Sequence, residues 1–187
     1  MGQGEGIRGA AIPVLAEVFR EYGYEGASLA LLGARAGLGK GSLYHAFPGG
    51  KAEMAEAVLA AIEGWFETRI YAPLRTDADP RAAIARMLSE TDTYFRSGGR
   101  ACLVGAFALT DGRDRFAARI AGYFKAWREA LAQALLRVGH GPEAADDLAE
   151  EAVAAIQGGL VLARALDEPA AFGRMLGRLR PRLLPDP

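Results

Sequence analysis

The chain has 187 residues, of which 51% are apolar, with 22 basic against 23 acidic side chains and a net charge of −1. That length and composition support a buried core and exclude a disordered or fibrous polymer, while the balanced charge excludes a uniformly basic nucleic-acid wrapper. One cysteine, Cys102, excludes an internal disulfide and suits a reducing cytosol.

Residues 1–6, MGQGEG, are glycine-rich with nothing to bury, and disorder is expected there. They lack the charged-then-apolar layout of a signal peptide, and no run of about 18 apolar residues follows. A cytoplasmic protein without a membrane span is therefore expected. Ile12, Leu15, Val18, Phe19 and Tyr22 mark an amphipathic helix over residues 7–22. Pro13 leaves two readings, a regular helix starting near Ile12 or a kink at the proline. Gly23 ends the helix.

Residues 28–51 read SLALLGARAGLGKGSLYHAFPGGK. They parse as a short helix, a glycine turn and a second short helix. Ser28 can N-cap the first helix, whose Leu29, Leu32 and Ala36 share a face. Gly37 suits the left-handed conformation that ends a helix, and Leu38 can drop between the two helices. In the second helix, from Lys40 to Phe47, Leu43 and Phe47 point inward. Lys40, Gly41, Ser42, Tyr44 and His45 are left outside. Arg35, Lys40 and Lys51 are the cations of this stretch, which has no carboxylate. Two helices joined by a tight glycine turn describe a helix-turn-helix, whose second helix can enter the major groove of DNA. Lys40 and Lys51 can neutralise phosphates; Ser42, Tyr44 and His45 can donate to phosphate oxygens or base edges, and Gly41 permits close approach. An ordinary helical hairpin with a solvated face shares the same spacing.

Phe19, Gly23-Tyr24, Ser28, Leu32, Ala36-Gly37-Leu38, Lys40 to His45, Phe47 and Lys51 form an ordered run. In that run the first quarter of the chain resembles the DNA-binding domain of the TetR/AcrR family of bacterial transcription regulators. PGGK at 48–51, with CLVGAFAL at 102–109, is similar to the LmrA/YxaF-type subgroup. Gly39 and Ala46 stand where the family usually carries Ser or Thr and His or Tyr. Only Arg8 stands in for the family's basic N-terminal arm. The resemblance implies DNA binding through Ser28, Arg35, Lys40, Gly41, Ser42, Tyr44, His45 and Lys51.

Residues 51–73 read as one amphipathic helix ending at Tyr71-Ala72-Pro73, with its N-terminus and Lys51 able to meet a phosphate. Asp79 can N-cap a helix over 80–96, with Pro80 in its first turn. Residues 102–109 are almost wholly apolar and should be buried and helical. TDGRD (110–114) punctuates the chain before a long helix over 116–138, and GHGP breaks it again. A helix over 143–166 and another over 170–179 follow, then a proline-rich end.

Trp65, Phe66, Tyr94, Phe95, Phe107, Tyr123, Phe124 and Trp127 recur through the central helices. They form either plain core or the lining of an apolar cavity with a few polar groups. The resemblance implies a ligand pocket, for which Trp65, Phe66, Met87, Thr91, Tyr94, Phe95, Phe107, Phe124, Trp127 and Gln157 are the candidates, and a hydrophobic or aromatic ligand is expected. The small-residue run AVAAIQGGLVLARAL lets a second helix approach, from inside the chain or from another copy. The resemblance implies a homodimer, with Ala155, Gly158, Gly159, Leu162, Ala163, Leu166, Phe172 and Leu176 at the interface.

His45 and His140 have no second ligand at metal spacing, and no catalytic constellation stands out. No cofactor, metal or enzymatic activity is expected. The fold expected is all-α, a three-helix helix-turn-helix domain over 1–50 followed by a larger helical ligand-binding and dimerisation domain over 51–187, about nine helices. The function expected is a ligand-responsive DNA-binding transcriptional regulator, a repressor released from a pseudo-palindromic operator by a small hydrophobic or aromatic molecule. The alternative is a helical carrier or enzyme with a vestigial DNA-binding head.

Overall fold

Good helix formers at 3.6-residue apolar spacing carry the chain into helices throughout. The computed structural model describes residues 3–110 and 112–185, and no strand occurs among them. In chain order these are α1 (Gln3–Gly26), α2 (Leu29–Ala36), α3 (Lys40–Ala46), α4 (Gly50–Phe66), a π-helical turn (Glu67–Tyr71) and α5 (Ala72–Thr76). There follow α6 (Pro80–Tyr94), a 3-10 turn (Arg96–Gly98), α7 (Leu103–Ala108), α8 (Gly112–Arg115), α9 (Ala117–Val138), α10 (Pro142–Ala165) and α11 (Ala170–Leu183). The all-α expectation holds.

Several element limits differ from the sequence reading. Met1 and Gly2 lie outside the described residues, but Gln3–Gly6 belong to α1 rather than to a disordered start. Once Leu15, Val18 and Phe19 anchor the helix, each further residue adds a hydrogen bond at little cost. Pro13 neither starts nor kinks α1; the helix departs from helical angles at Gly23 (φ 68°, ψ 179°). The ring of Pro13 is exposed, so the bond it forgoes is on the solvated side.

The helix expected over 51–73 continues to Thr76. Pro73 cannot supply an N–H, and the preceding turn widens instead, with Ala72 N–H donating to Glu67 O. Leu109 is 84% exposed, unlike the buried run before it. Asp111, in the expected turn, lies outside the described residues, and α8 begins directly after it. α11 passes the expected end near 179 because Leu183 continues its buried row of Phe172, Met175, Leu176 and Leu179.

The chain divides into two compact units. The first comprises Met1–Gly64 and Leu103–Ile120, so α7, α8 and the start of α9 belong with α1–α3. Its aromatic core joins Phe19, Tyr24, Phe107 and Phe116 through stacked and edge-on ring contacts. Arg119 donates to the carboxylates of both Glu56 and Glu63, tying the start of α9 to α4.

The second unit comprises Trp65–Cys102 and Ala121–Pro187. Phe66 is the hub of its core, with the rings of Trp65, Tyr71, Tyr94, Phe95, Tyr123 and Trp127 around it. α10 lies against α11 at close range: a Cβ at Gly159 would stand 2.8 Å from Met175 Cε and 3.3 Å from Phe172 Cδ2. Gly98, at φ +94°, lets the 3-10 turn press within 2.6 Å of Pro169 O at the point a Cβ would occupy.

Candidate functional site

The helix-turn-helix is built by local rules. Ser28 Oγ accepts from Leu31 N–H at 3.2 Å and starts α2. Gly37, at φ 66°, ends it, and Leu38 N–H returns to Gly33 O at 2.9 Å. Gly33 is needed here, since a Cβ would come 2.9 Å from Leu38 O. α3 then buries Leu43 and Ala46, with Phe47 fully buried just behind. Lys40, Gly41, Ser42, Tyr44 and His45 are exposed, Tyr44 by 39%.

The cations around α3 differ in what they do. Lys40 makes no ion pair among the described residues. Arg35 pairs with Glu21 at 2.9 Å. Lys51 turns back on the protein: its Nζ donates to Tyr24 O at 2.9 Å, sits 4.4 Å from the Tyr24 ring centre and lies 3.8 Å from the Glu25 carboxylate. Lys51 thereby closes the C-terminal end of α1.

Arg8 is a brace that sequence reading placed only as a thin arm. Its guanidinium donates to Ala46 O at 2.9 Å and to the Glu53 carboxylate, and stacks 4.7 Å from the Phe47 ring centre. Glu53 also accepts from Gly49 N–H at 2.7 Å. The Arg8 bond and then the Gly49 bond hold the Glu53 carboxyl below its ordinary value. The C-terminal end of α3 is thus fastened to α1 and α4. The signal available in the sequence was Glu53 four residues after Gly49, at the start of a helix.

Of the candidate pocket residues, Phe66, Phe95 and Trp127 are fully buried in the second unit, and Met87 and Thr91 lie along the buried face of α6. Trp127 Nε1 donates to Met87 Sδ at 3.4 Å. Trp65 and Tyr94 are half-buried beside Phe66, and Phe124 reaches the cluster through Tyr123. Gln157 is half-buried on α10, its Nε2 enclosed without a partner among the described residues. Thr91 Oγ1 is likewise enclosed and unpartnered. Phe107 stands apart from these, in the first unit with Phe19, Tyr24 and Phe116. Tyr71 and Tyr123, not among the candidates, belong to the Phe66 cluster, and Tyr71 OH donates to Tyr123 O at 3.1 Å. Burial raises the Tyr123 phenol well above its usual range, and Cys102 beside it adds to the shift.

The candidate interface residues fall into two groups. Gly159, Ala163, Phe172 and Leu176 are buried in the packing of the second unit itself. Leu162 and Leu166 are 56% and 62% exposed, Gly158 is exposed and Ala155 half-buried. Val161, 60% exposed, joins this outer stripe and was missed by sequence reading.

Among the described residues no helix is long and apolar enough to cross a membrane, and no group of three or more metal-ligating side chains occurs.

A braced helix-turn-helix joined to a helical second unit defines a class, the DNA-binding transcription regulators. Residues 13–58 match the model of bacterial regulatory proteins of the tetR family, and residues 80–175 match that of the LmrA/YxaF-like transcriptional regulator C-terminal domain. The chain belongs to the TetR family of transcriptional regulators, in the group with an LmrA/YxaF-like C-terminal domain. It is similar to the HTH-type transcriptional regulator YxaF of Bacillus subtilis, 28% identical over 149 residues covering 78% of each chain. The crystal structure of a TetR transcriptional regulator from Chloroflexus aurantiacus has the same fold, with a TM-score of 0.81 at 23% identity over 100% of this chain and 98% of that one. A cysteine mutant of the regulator CifR, solved with 26-bp double-strand operator DNA, gives a TM-score of 0.73 at 25% identity, covering 95% of both chains.

Proposed function

We propose that the chain is a homodimeric repressor that leaves a pseudo-palindromic operator when a hydrophobic or aromatic molecule binds its second unit. The observation that carries the DNA half is α3: a short helix with Lys40, Ser42, Tyr44 and His45 exposed on one side and Leu43, Ala46 and Phe47 buried on the other. In this reading Lys40, Tyr44 and His45 take phosphates, and Ser42 and Lys40 reach base edges. Gly41 lets the backbone approach. Ser28 and Arg35 act from α2. Lys51 contributes by holding the end of α1 rather than by reaching for DNA.

The ligand half rests on the Phe66 cluster, and the second unit also holds the enclosed Thr91 hydroxyl and Gln157 amide, each without a partner among the described residues. α4 carries Lys51 and Glu53 at one end and Trp65 and Phe66 at the other, about 20 Å along one helix. A ligand that favours one position of Phe66 therefore acts on the helix that supports α3. Reciprocity makes the ligand and the operator weaken each other by the same coupling free energy, typically about 1–3 kcal/mol. The stripe Gly158, Val161, Leu162 and Leu166 supplies the dimer contact. Residues 1–50 form the DNA-binding head in this scheme, grouped in the first unit with most of α4, α7 and α8, and the sensing and dimerisation part lies within residues 51–187, in the second unit. The protein acts in the cytoplasm and has no catalytic role.

The test is a binding titration on the DNA upstream of the protein's own gene. Lys40→Ala and Tyr44→Phe each lower affinity about 5- to 100-fold, as for loss of one or two charge-assisted contacts, with helicity and dimer mass unchanged. Equal affinity of both variants and the parent removes the α3 assignment.

A further inference from the structure

Between α2 and α3 lies an open groove of about 370 Å³. Leu29, Ala30, Leu38 and Leu43 form its walls, and Lys40 and Tyr44 form its rim. No carboxylate lines it. Gly33 also lines it, at a point where a Cβ would stand 2.9 Å from Leu38 O. Lys40 is the rim's cation and, unlike Arg35 and Lys51, makes no ion pair among the described residues.

An apolar hollow beside an unpaired ammonium matches a partner that is anionic at its edge and apolar where it enters. A phosphate does not suit the hollow itself, since Leu29, Ala30 and Leu43 offer its oxygens no donor side chain. Duplex DNA has the required layout. Its phosphates flank the major groove, and the apolar group displayed on the base edges there is the thymine C5-methyl. We infer that the α2–α3 groove is a thymine-methyl site, in which Leu29, Ala30 and the Tyr44 ring receive the methyl edge of one thymine in each half-site while Lys40 holds the neighbouring phosphate. This inference rests on the DNA-binding reading of α3 and adds a base preference to it.

The test uses the full chain and randomised duplex pools synthesised with thymine or with uracil, which lacks the C5-methyl. Selection from the thymine pool yields a half-site with thymine at one position. Uracil at that position lowers affinity about fourfold per half-site, the factor for burying one methyl group. Ala30→Gln, which fills the groove with an amide, abolishes the thymine–uracil difference while helicity holds. Equal affinity for the thymine and uracil forms at every selected position overturns the inference and leaves the DNA-binding reading intact. So does a thymine–uracil ratio unchanged in Ala30→Gln. Enrichment from neither pool removes the DNA-binding reading and this inference together. Saturable binding of the amphiphilic anionic dye 1-anilinonaphthalene-8-sulfonate, lost in Ala30→Gln, without any thymine–uracil difference assigns the groove to a small molecule and overturns the inference as well.

Discussion

Arg8 and Lys51 are both basic side chains within reach of a DNA-binding element, and both are used inside the fold. Arg8 ties Ala46 O and Glu53 together, and Lys51 caps the end of α1 at Tyr24 O. Sequence spacing registers such residues only as charges, because the carbonyls that the fold brings to them come from segments distant along the chain. The Arg8–Glu53 pair also makes a pH prediction. The folded-state pKa of Glu53 lies below its ordinary value of 4.5. The pair's contribution is therefore fully present above pH 4.5 and is lost as pH falls through the depressed folded value. In chemical denaturation from neutral to acid pH, Glu53→Gln should cost stability near neutrality, and its difference from the parent should shrink below pH 4.5. A difference constant with pH would mean that the carboxylate charge contributes nothing. Both partners are about a third exposed, so the effect is small.

Among the elements, α4 and its π-helical continuation have the most consequence. The widened turn at Glu67–Tyr71 keeps the helix going past Pro73 and brings Tyr71 to the Phe66 cluster. Phe66 is fully buried and touches six other rings. Phe66→Ala should destabilise the protein by about 3–5 kcal/mol in denaturant unfolding at fixed protein concentration. A loss under about 1 kcal/mol would show the cluster to be loose enough to collapse around the gap. At this scale the sequence was readable wherever a rule is local. The Ser28 cap, the left-handed Gly37 and the Asp79 cap before Pro80 each depend on neighbours a few residues away. The passage through Pro13 and Pro73 was not readable, because the missing N–H is compensated by burial elsewhere and by a change of helix type.

For the molecule as a whole, the outer stripe of α10 is the feature that asks for a partner. Gly158, Val161, Leu162 and Leu166 fall at helical spacing on one exposed face. If the proposed dimer uses this stripe, Leu162→Glu together with Leu166→Glu should halve the mass seen in sedimentation while helicity is kept. DNA affinity should fall about a hundredfold or more with the loss of paired heads. An unchanged sedimentation coefficient in that variant would remove the stripe from the proposed dimer contact. What composition and periodicity alone determined was the all-α class, the turn geometry of the helix-turn-helix and which side of α3 stays outside. These follow from propensity, capping and the allowed backbone angles of single residues. Only the tertiary structure decided that Phe107 joins Phe19 and Tyr24 rather than Phe66, that Gly159 and Ala163 serve packing within the chain, and that Lys51 bonds to Tyr24 O. Those are pairings between segments distant along the chain, and a one-dimensional pattern records how apolar or charged a residue is without recording which surface it will meet.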